Sequence, residues 1–179
     1  MLTPPKLPAI FLAECHADTA VLSEIRNVPA RHPRHTWHQK GITRVAAAMQ
    51  KHPDAVVVGL VDDDDYRKQQ KLNVPDYIKG FRPLAEPEPD GFLTFLKHPS
   101  RRHYLIRVTP ACERWLHSCA REAGLSLTFE QIADVTKVEG SDTDPVLLGW
   151  VKTIGRAQVS GFQRIEAFIA QFEAPRPRY

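Results

Sequence analysis

The chain has 179 residues, 42% of them hydrophobic, and a formal net charge of +3. That size suits one compact domain, and so mild a charge excludes a nucleic-acid role argued from bulk basicity alone. Three cysteines, Cys15, Cys112 and Cys119, are too few for a disulfide framework. The first residues lack the apolar core of a signal peptide, and no apolar run approaches the roughly 20 residues that span a bilayer, so the expectation is a soluble chain of a reducing, cytoplasmic compartment with no membrane partner.

Taken in chain order, residues 9–13 read as a short buried strand ended by Glu14. Cys15-His16-Ala17 turns the chain, and Asp18 or Thr19 caps a helix that runs through Val21, Leu22 and Ile25 to about residue 27. Residues 28–39 are rich in Pro, His and Arg and have no period, which predicts a loop with room for a short strand. Gly41 precedes a helix over 42–51 with Ile42, Val45, Ala46 and Met49 on one face. His52-Pro53-Asp54 breaks it before a strand over 55–61. A polar helix over 66–72 follows, then a loop over 73–90 carrying Pro75, Pro83, Pro87 and Pro89. Residues 91–97 form a short apolar element of either type, and 102–108 alternate as a strand with Tyr104, Ile106 and Val108 on one side. Thr109 as cap and Pro110 in the first turn open a helix that Gly124 stops. After a polar segment over 130–145 and residues 146–154, an amphipathic helix over 161–172 buries Phe162, Ile165, Phe168, Ile169 and Phe172. Strands alternating with helices give the α/β class: one domain over 1–179, a mainly parallel sheet flanked by helices, with a motif-bearing core at 9–110 and a C-terminal helical extension at 111–172.

The most chemical stretch is Ala55-Val56-Val57-Val58-Gly59-Leu60-Val61 running straight into Asp62, Asp63, Asp64 and Asp65. Adjacent carboxylates repel, and removing them from water requires a compensating positive charge. If the backbone stays extended, Asp62 and Asp64 share one side and converge on one ion. Glu14 supplies a third oxygen from a neighbouring parallel strand, because ligands of open α/β sheets bind beyond the strands' C-terminal ends. Asp18 lies where it can orient a water or a second ion. A set of carboxylates without imposed thiolate or imidazole suits Mg²⁺ or Mn²⁺ better than zinc.

Two basic stretches face this acidity in the sequence. Residues 31–44 carry Arg31, Arg34, Lys40 and Arg44 with His32, His35 and His38, and residues 97–107 carry Lys97, Arg101, Arg102 and Arg107 with His98 and His103; neither contains an acid. Such patches suit a phosphate backbone, as they also suit solvated loops. Cys112 and Cys119 share a helix face and read as buried thiols. Cys15 beside His16 lacks the third member of a nucleophile–base arrangement. Residues 138–144 read as a polar turn leading to a helix cap, where Glu139 and Asp142 could add acids to a second ion.

The order and spacing of Glu14 with Asp18, and of Asp62 with Asp64, resemble the Toprim domain, the metal-binding fold of topoisomerases, bacterial primases and OLD-type nucleases. The resemblance covers residues 9–65, and Cys15 stands where the family usually has glycine. It implies that Glu14 acts as general base or holds a metal-bound water, and that Asp62 and Asp64, with Asp18, hold Mg²⁺ or Mn²⁺ for cleavage or nicking of DNA or RNA. It further implies phosphate contacts from bases, for which Arg34, Lys40, Arg102 and Arg107 are the candidates. The size is similar to that of small stand-alone, OLD-nuclease-like members, some of them linked to phage defence, which implies a possible protein partner in a larger complex. Two alternatives stay open: a Toprim-like binding module or subunit without catalysis, and a different metal-dependent phosphoryl or nucleotidyl enzyme.

Overall fold

Strand β3 (Val57–Asp62) is buried along its length until Asp62. Its apolar run is continuous because both faces are covered, as in a central parallel strand. Val58 and Leu60 face one core, Val57 and Val61 the other. The structure, a computed structural model, describes residues 8–29, 36–63, 75–85 and 91–174.

The elements before β3 are β1 (Ile10–Ala13), α1 (His16–Ile25), β2 (Trp37–His38) and α2 (Ile42–Gln50). After it come α3 (Asp76–Lys79), β4 (Arg82–Pro83), β5 (Leu93–Lys97) and β6 (His103–Val108). Four helices close the chain: α4 (Cys112–Glu122), α5 (Phe129–Thr136), α6 (Pro145–Arg156) and α7 (Ser160–Ile169), with a single 3₁₀ turn at Ser141–Thr143. Among the described residues the sheet has six strands in the order β2-β1-β3-β6-β5-β4. Pairings β1–β2, β1–β3 and β3–β6 are parallel, and β5 pairs antiparallel with both β6 and β4. This is the α/β domain the sequence predicts, with a mostly parallel mixed sheet flanked by helices.

The two crossovers from β1 diverge. Helix α1 leads outward to β2, and α2 brings the chain back past β1 to β3. Their apolar faces pack on opposite sides of the sheet: α1 with α4, α5, α6 and α7 on one, α2 with α3 on the other. Strand order reverses in this way at the C-terminal ends of β1 and β3, the place where open α/β sheets carry their ligand crevice.

Several boundaries differ from the sequence reading. Helix α1 begins at His16, with Cys15 as its cap. The loop expected at 73–90 contains α3 and β4, and the polar segment at 130–145 contains α5. Helix α4 begins at Cys112, because Thr109 is drawn back to the sheet by its N–H on the Phe92 carbonyl at 2.8 Å. The helix expected at 66–72 lies outside the described residues.

Helix α7 approaches α4 through Gly161. A Cβ there would stand 2.7 Å from Trp115 Nε1 and 3.1 Å from Cys119 Sγ. Trp115 is fully buried and stacked on Phe162, so it has little room to give. Gly161→Ala is expected to cost roughly 1–3 kcal/mol of stability, read as a lower urea midpoint at unchanged slope. An unchanged midpoint would show that this helix pair is not tightly packed.

Candidate functional site

Glu14 leaves β1 with its main chain still in the sheet, its N–H on the Leu60 carbonyl at 3.1 Å. The residue is 2% exposed. Oε1 accepts the N–H of Ile42 at 3.1 Å, and Oε2 accepts the N–H of Asp62 at 2.9 Å. Ile42 opens α2, whose own cap, Gly41, has no side chain to offer. Glu14 therefore caps a helix from the neighbouring strand, satisfying a donor that helix geometry leaves over. Glu14 and Asp62 do meet, with the carboxylate of one holding the main chain of the other.

Asp62 in turn accepts the N–H of Cys112, the first residue of α4, on Oδ1 at 2.8 Å. Asp18 sits at the third position of α1 in a reciprocal capping box: Oδ2 accepts Cys15 N–H at 3.2 Å, and Asp18 N–H reaches Cys15 Sγ at 3.4 Å. Asp18 is completely buried, and its second oxygen, Oδ1, accepts no hydrogen bond. One ligand atom each from Cys15, Asp18 and Asp62 lies within 4.8 Å of the others. The N-terminal ends of α1, α2 and α4 thus converge on the acids at the ends of β1 and β3, and their partial positive charge offsets some of the acidity.

It does not offset all of it. Burial pushes the Asp18 carboxyl up to about 7, with the Glu113 charge adding to the rise and the Cys15 and Cys112 thiols opposing it. Burial also raises Asp62 well above the carboxylate range, helped by the charges of Asp18, Glu113 and Glu14 and opposed by Cys112 N–H. The Cys15 and Cys112 thiols are pushed up by burial and by Asp18 and Asp62. Salt bridges of the described residues leave Asp18 and Asp62 out. Burial and mutual repulsion therefore favour a proton or a cation on the cluster in place of a basic side chain.

The remaining expected residues are distributed differently. Asp64 and Arg34 lie outside the described residues. Asp63 is buried, accepting Thr109 Oγ1 at 3.2 Å and facing Arg107 Nε at 3.9 Å. Lys40, just past β2, is exposed and pairs with Glu139 at 3.2 Å. Lys40 and Arg107 share the acids' edge of the sheet. Arg102 does not: it precedes β6 and donates to the Asp54 carbonyl, at the strands' opposite ends. Glu113 is tied to α5 by Thr136 Oγ1 at 3.1 Å.

A second cluster joins His16, His38 and Asp142, residues from three separate segments. His16 Nδ1 meets Asp142 Oδ1 at 2.6 Å, and His16 Nε2 accepts Gly140 N–H at 3.1 Å. The His16 and His38 rings lie 4.1 Å apart, with His38 Nδ1 3.3 Å from Thr19 Oγ1. Both His16 nitrogens are committed, so this residue fastens the first turn of α1 to the 3₁₀ turn. With Nε2 occupied, it is not poised as a base for Cys15. Asp144, not Asp142, caps α6 through Val146 N–H at 2.7 Å. The sequence singles out each of the three separately, His16 beside Cys15, His38 in a basic stretch and Asp142 in a polar turn, but nothing in linear spacing pairs residues 126 positions apart.

No helix among the described residues is long and apolar enough to cross a membrane. No family model, curated protein or solved structure matches the chain.

Proposed function

We propose that the chain is a divalent-metal-dependent phosphodiesterase of Toprim type that cleaves or nicks nucleic acid. The observation that carries this reading is the buried, unpartnered Oδ1 of Asp18 beside Asp62, at a strand-end crevice where acids outnumber the groups that neutralise them. Asp18 and Asp62 would hold the divalent cation, with Asp64 following them in the chain. When bound, the ion polarises a phosphodiester oxygen and offsets charge building on it. Glu14 fixes Asp62 by its main chain and anchors α2 beside it. Lys40 and Arg107 sit on the same edge and can exchange Glu139 and Asp63 for a phosphate. Three free cysteines fit a reducing compartment.

Cleavage of single-stranded DNA, duplex DNA and RNA with Mg²⁺ or Mn²⁺ tests the proposal. Asp62→Ala is expected to lower the rate at least about 100-fold and to abolish the ion-induced rise in Tm. Equal cleavage by the variant overturns the assignment.

A second reading has its own support. Each Glu14 oxygen already holds a main-chain N–H, so a glutamate acting as general base would have to release α2 or Asp62. That favours a Toprim-like binding module or subunit, in which an ion stabilises the fold and cleavage is absent. An Asp62-dependent rise in Tm, with no cleavage of any of the three substrates, selects it.

A further inference from the structure

We infer that Cys15 is itself a ligand of the Asp18–Asp62 site, so that the site is built for a sulfur-accepting dication of the zinc class rather than for Mg²⁺. This rests on the metal reading of that site but not on catalysis. Cys15 is where the chain departs from the glycine of the family it resembles, and the structure gives that departure a position. As the cap of α1, its Sγ is held 3.4 Å from Asp18 N–H, while its own N–H binds Asp18 Oδ2 at 3.2 Å. This reciprocal pairing points the thiol and the Asp18 carboxylate to the same side of the helix end. Asp62 closes the third side, all three ligand atoms lying within 4.8 Å of one another. The independent sign of a missing partner is Asp18 Oδ1, completely buried and without a hydrogen bond.

The donor set decides the ion. Mg²⁺ takes oxygen ligands in near-ideal octahedral geometry and keeps its waters, so a sulfur in the first shell disfavours it. Zinc accepts sulfur at about 2.3 Å and carboxylate oxygen at about 2.0–2.2 Å in a tetrahedron, which sets ligand atoms roughly 3.5 Å apart. The three donors reach that spacing by closing at most about 1.3 Å, within the reach of side-chain rotation. Three protein ligands leave the fourth corner open to a water or a phosphate oxygen, as in catalytic zinc sites. As the sulfur–metal bond forms, the thiol proton leaves to solvent, and the N-terminal ends of α1 and α4 temper the charge of one thiolate and two carboxylates around one dication. Cys112 is the competing thiol. It is fully buried, and it is Cys15, not Cys112, whose sulfur groups with the Asp18 and Asp62 oxygens.

The test uses the full metal-free chain and Co²⁺ as a spectroscopic substitute for zinc. Wild type is expected to develop a thiolate-to-cobalt charge-transfer band in the near ultraviolet. Cys112→Ala retains the band, and Cys15→Ser loses it. Cys15→Ser also weakens Zn²⁺ binding by about tenfold or more while moving Mn²⁺ affinity less. Serine is a preferred helix cap, so the fold should survive the change. X-ray absorption on zinc-loaded wild type gives a check that needs no variant: at least one sulfur neighbour is expected. No sulfur neighbour, a missing band, or a band that survives in Cys15→Ser or vanishes in Cys112→Ala overturns the inference. An Asp62-dependent Mn²⁺ rise in Tm without the band sinks Cys15 alone. The band without cleavage sinks the nuclease reading alone. No rise in Tm with any ion sinks both.

Discussion

Glu14→Ala is expected to destabilise the protein by about 3–5 kcal/mol, enough to remove much of the stability of an ordinary domain. The change strips the acceptor from two main-chain donors at once, Ile42 N–H at the start of α2 and Asp62 N–H at the end of β3. Neither has a substitute close by, because Gly41 caps α2 without a side chain and the Glu14 site is closed to solvent. A carboxylate at a helix N-terminus also gains from the helix dipole, and hydrogen bonds to a charged acceptor exceed neutral ones. Glu14→Gln keeps one oxygen and should cost less than half as much. Urea unfolding of both variants provides the measurement, and an alanine variant within about 0.5 kcal/mol of wild type would refute the capping role. Glu14→Gln also separates structure from chemistry: if it folds with normal Asp62-dependent Tm response and normal cleavage, Glu14 is a positioning residue and not a base.

That double role shows where linear reading stops. The two strands, the acids at their ends and the buried face of α2 are legible because periodicity and apolar runs are local properties. Ile42, Val45, Ala46 and Met49 are all buried, as the spacing requires. The start of α1 was less legible, since cysteine is not a preferred cap and the box closes on Asp18 in place of the usual Glu or Gln. Helix α5 carried a usable signal, Thr128 capping with Gln131, inside a stretch whose polarity concealed it. The basic patch at 97–107 misleads for a geometric reason. A strand advances about 3.3 Å per residue, so Arg102 and Arg107 stand roughly 16 Å apart at opposite ends of β6, one near the crevice and one far from it. The use of Glu14 on Ile42 and the His16–Asp142 fastening depend on how crossovers pack, which no spacing rule encodes.

The buried acids predict how the metal-free protein responds to pH. Asp18 is raised from an ordinary carboxylate value to about 7 by burial and by Glu113, and Asp62 is raised in the same direction. Between those limits the folded state keeps a proton that the unfolded chain releases. Stability from Asp18 is therefore fully present below about pH 4, falls as pH rises toward 7 and levels off above it, and Asp62 acts in the same direction. His98 and His103 act oppositely, because burial holds both below the usual imidazole value and their folded forms stay neutral where the unfolded chain is charged. The raw profile mixes the two, so the difference between wild type and Asp18→Asn is the informative quantity. Asparagine preserves an acceptor for Cys15 N–H, and the variant should gain stability on wild type as pH rises from 5 to 8, by at most about 2.5 kcal/mol. Saturating Mn²⁺ should erase most of that gain by stabilising wild type at high pH, where the dication replaces the lost proton, and should do little at pH 5. Thermal unfolding of both proteins across this range, with and without the ion, measures each term. A difference that stays flat with pH would mean that the crevice tolerates its charges unaided, and the physical need for a cation there would disappear.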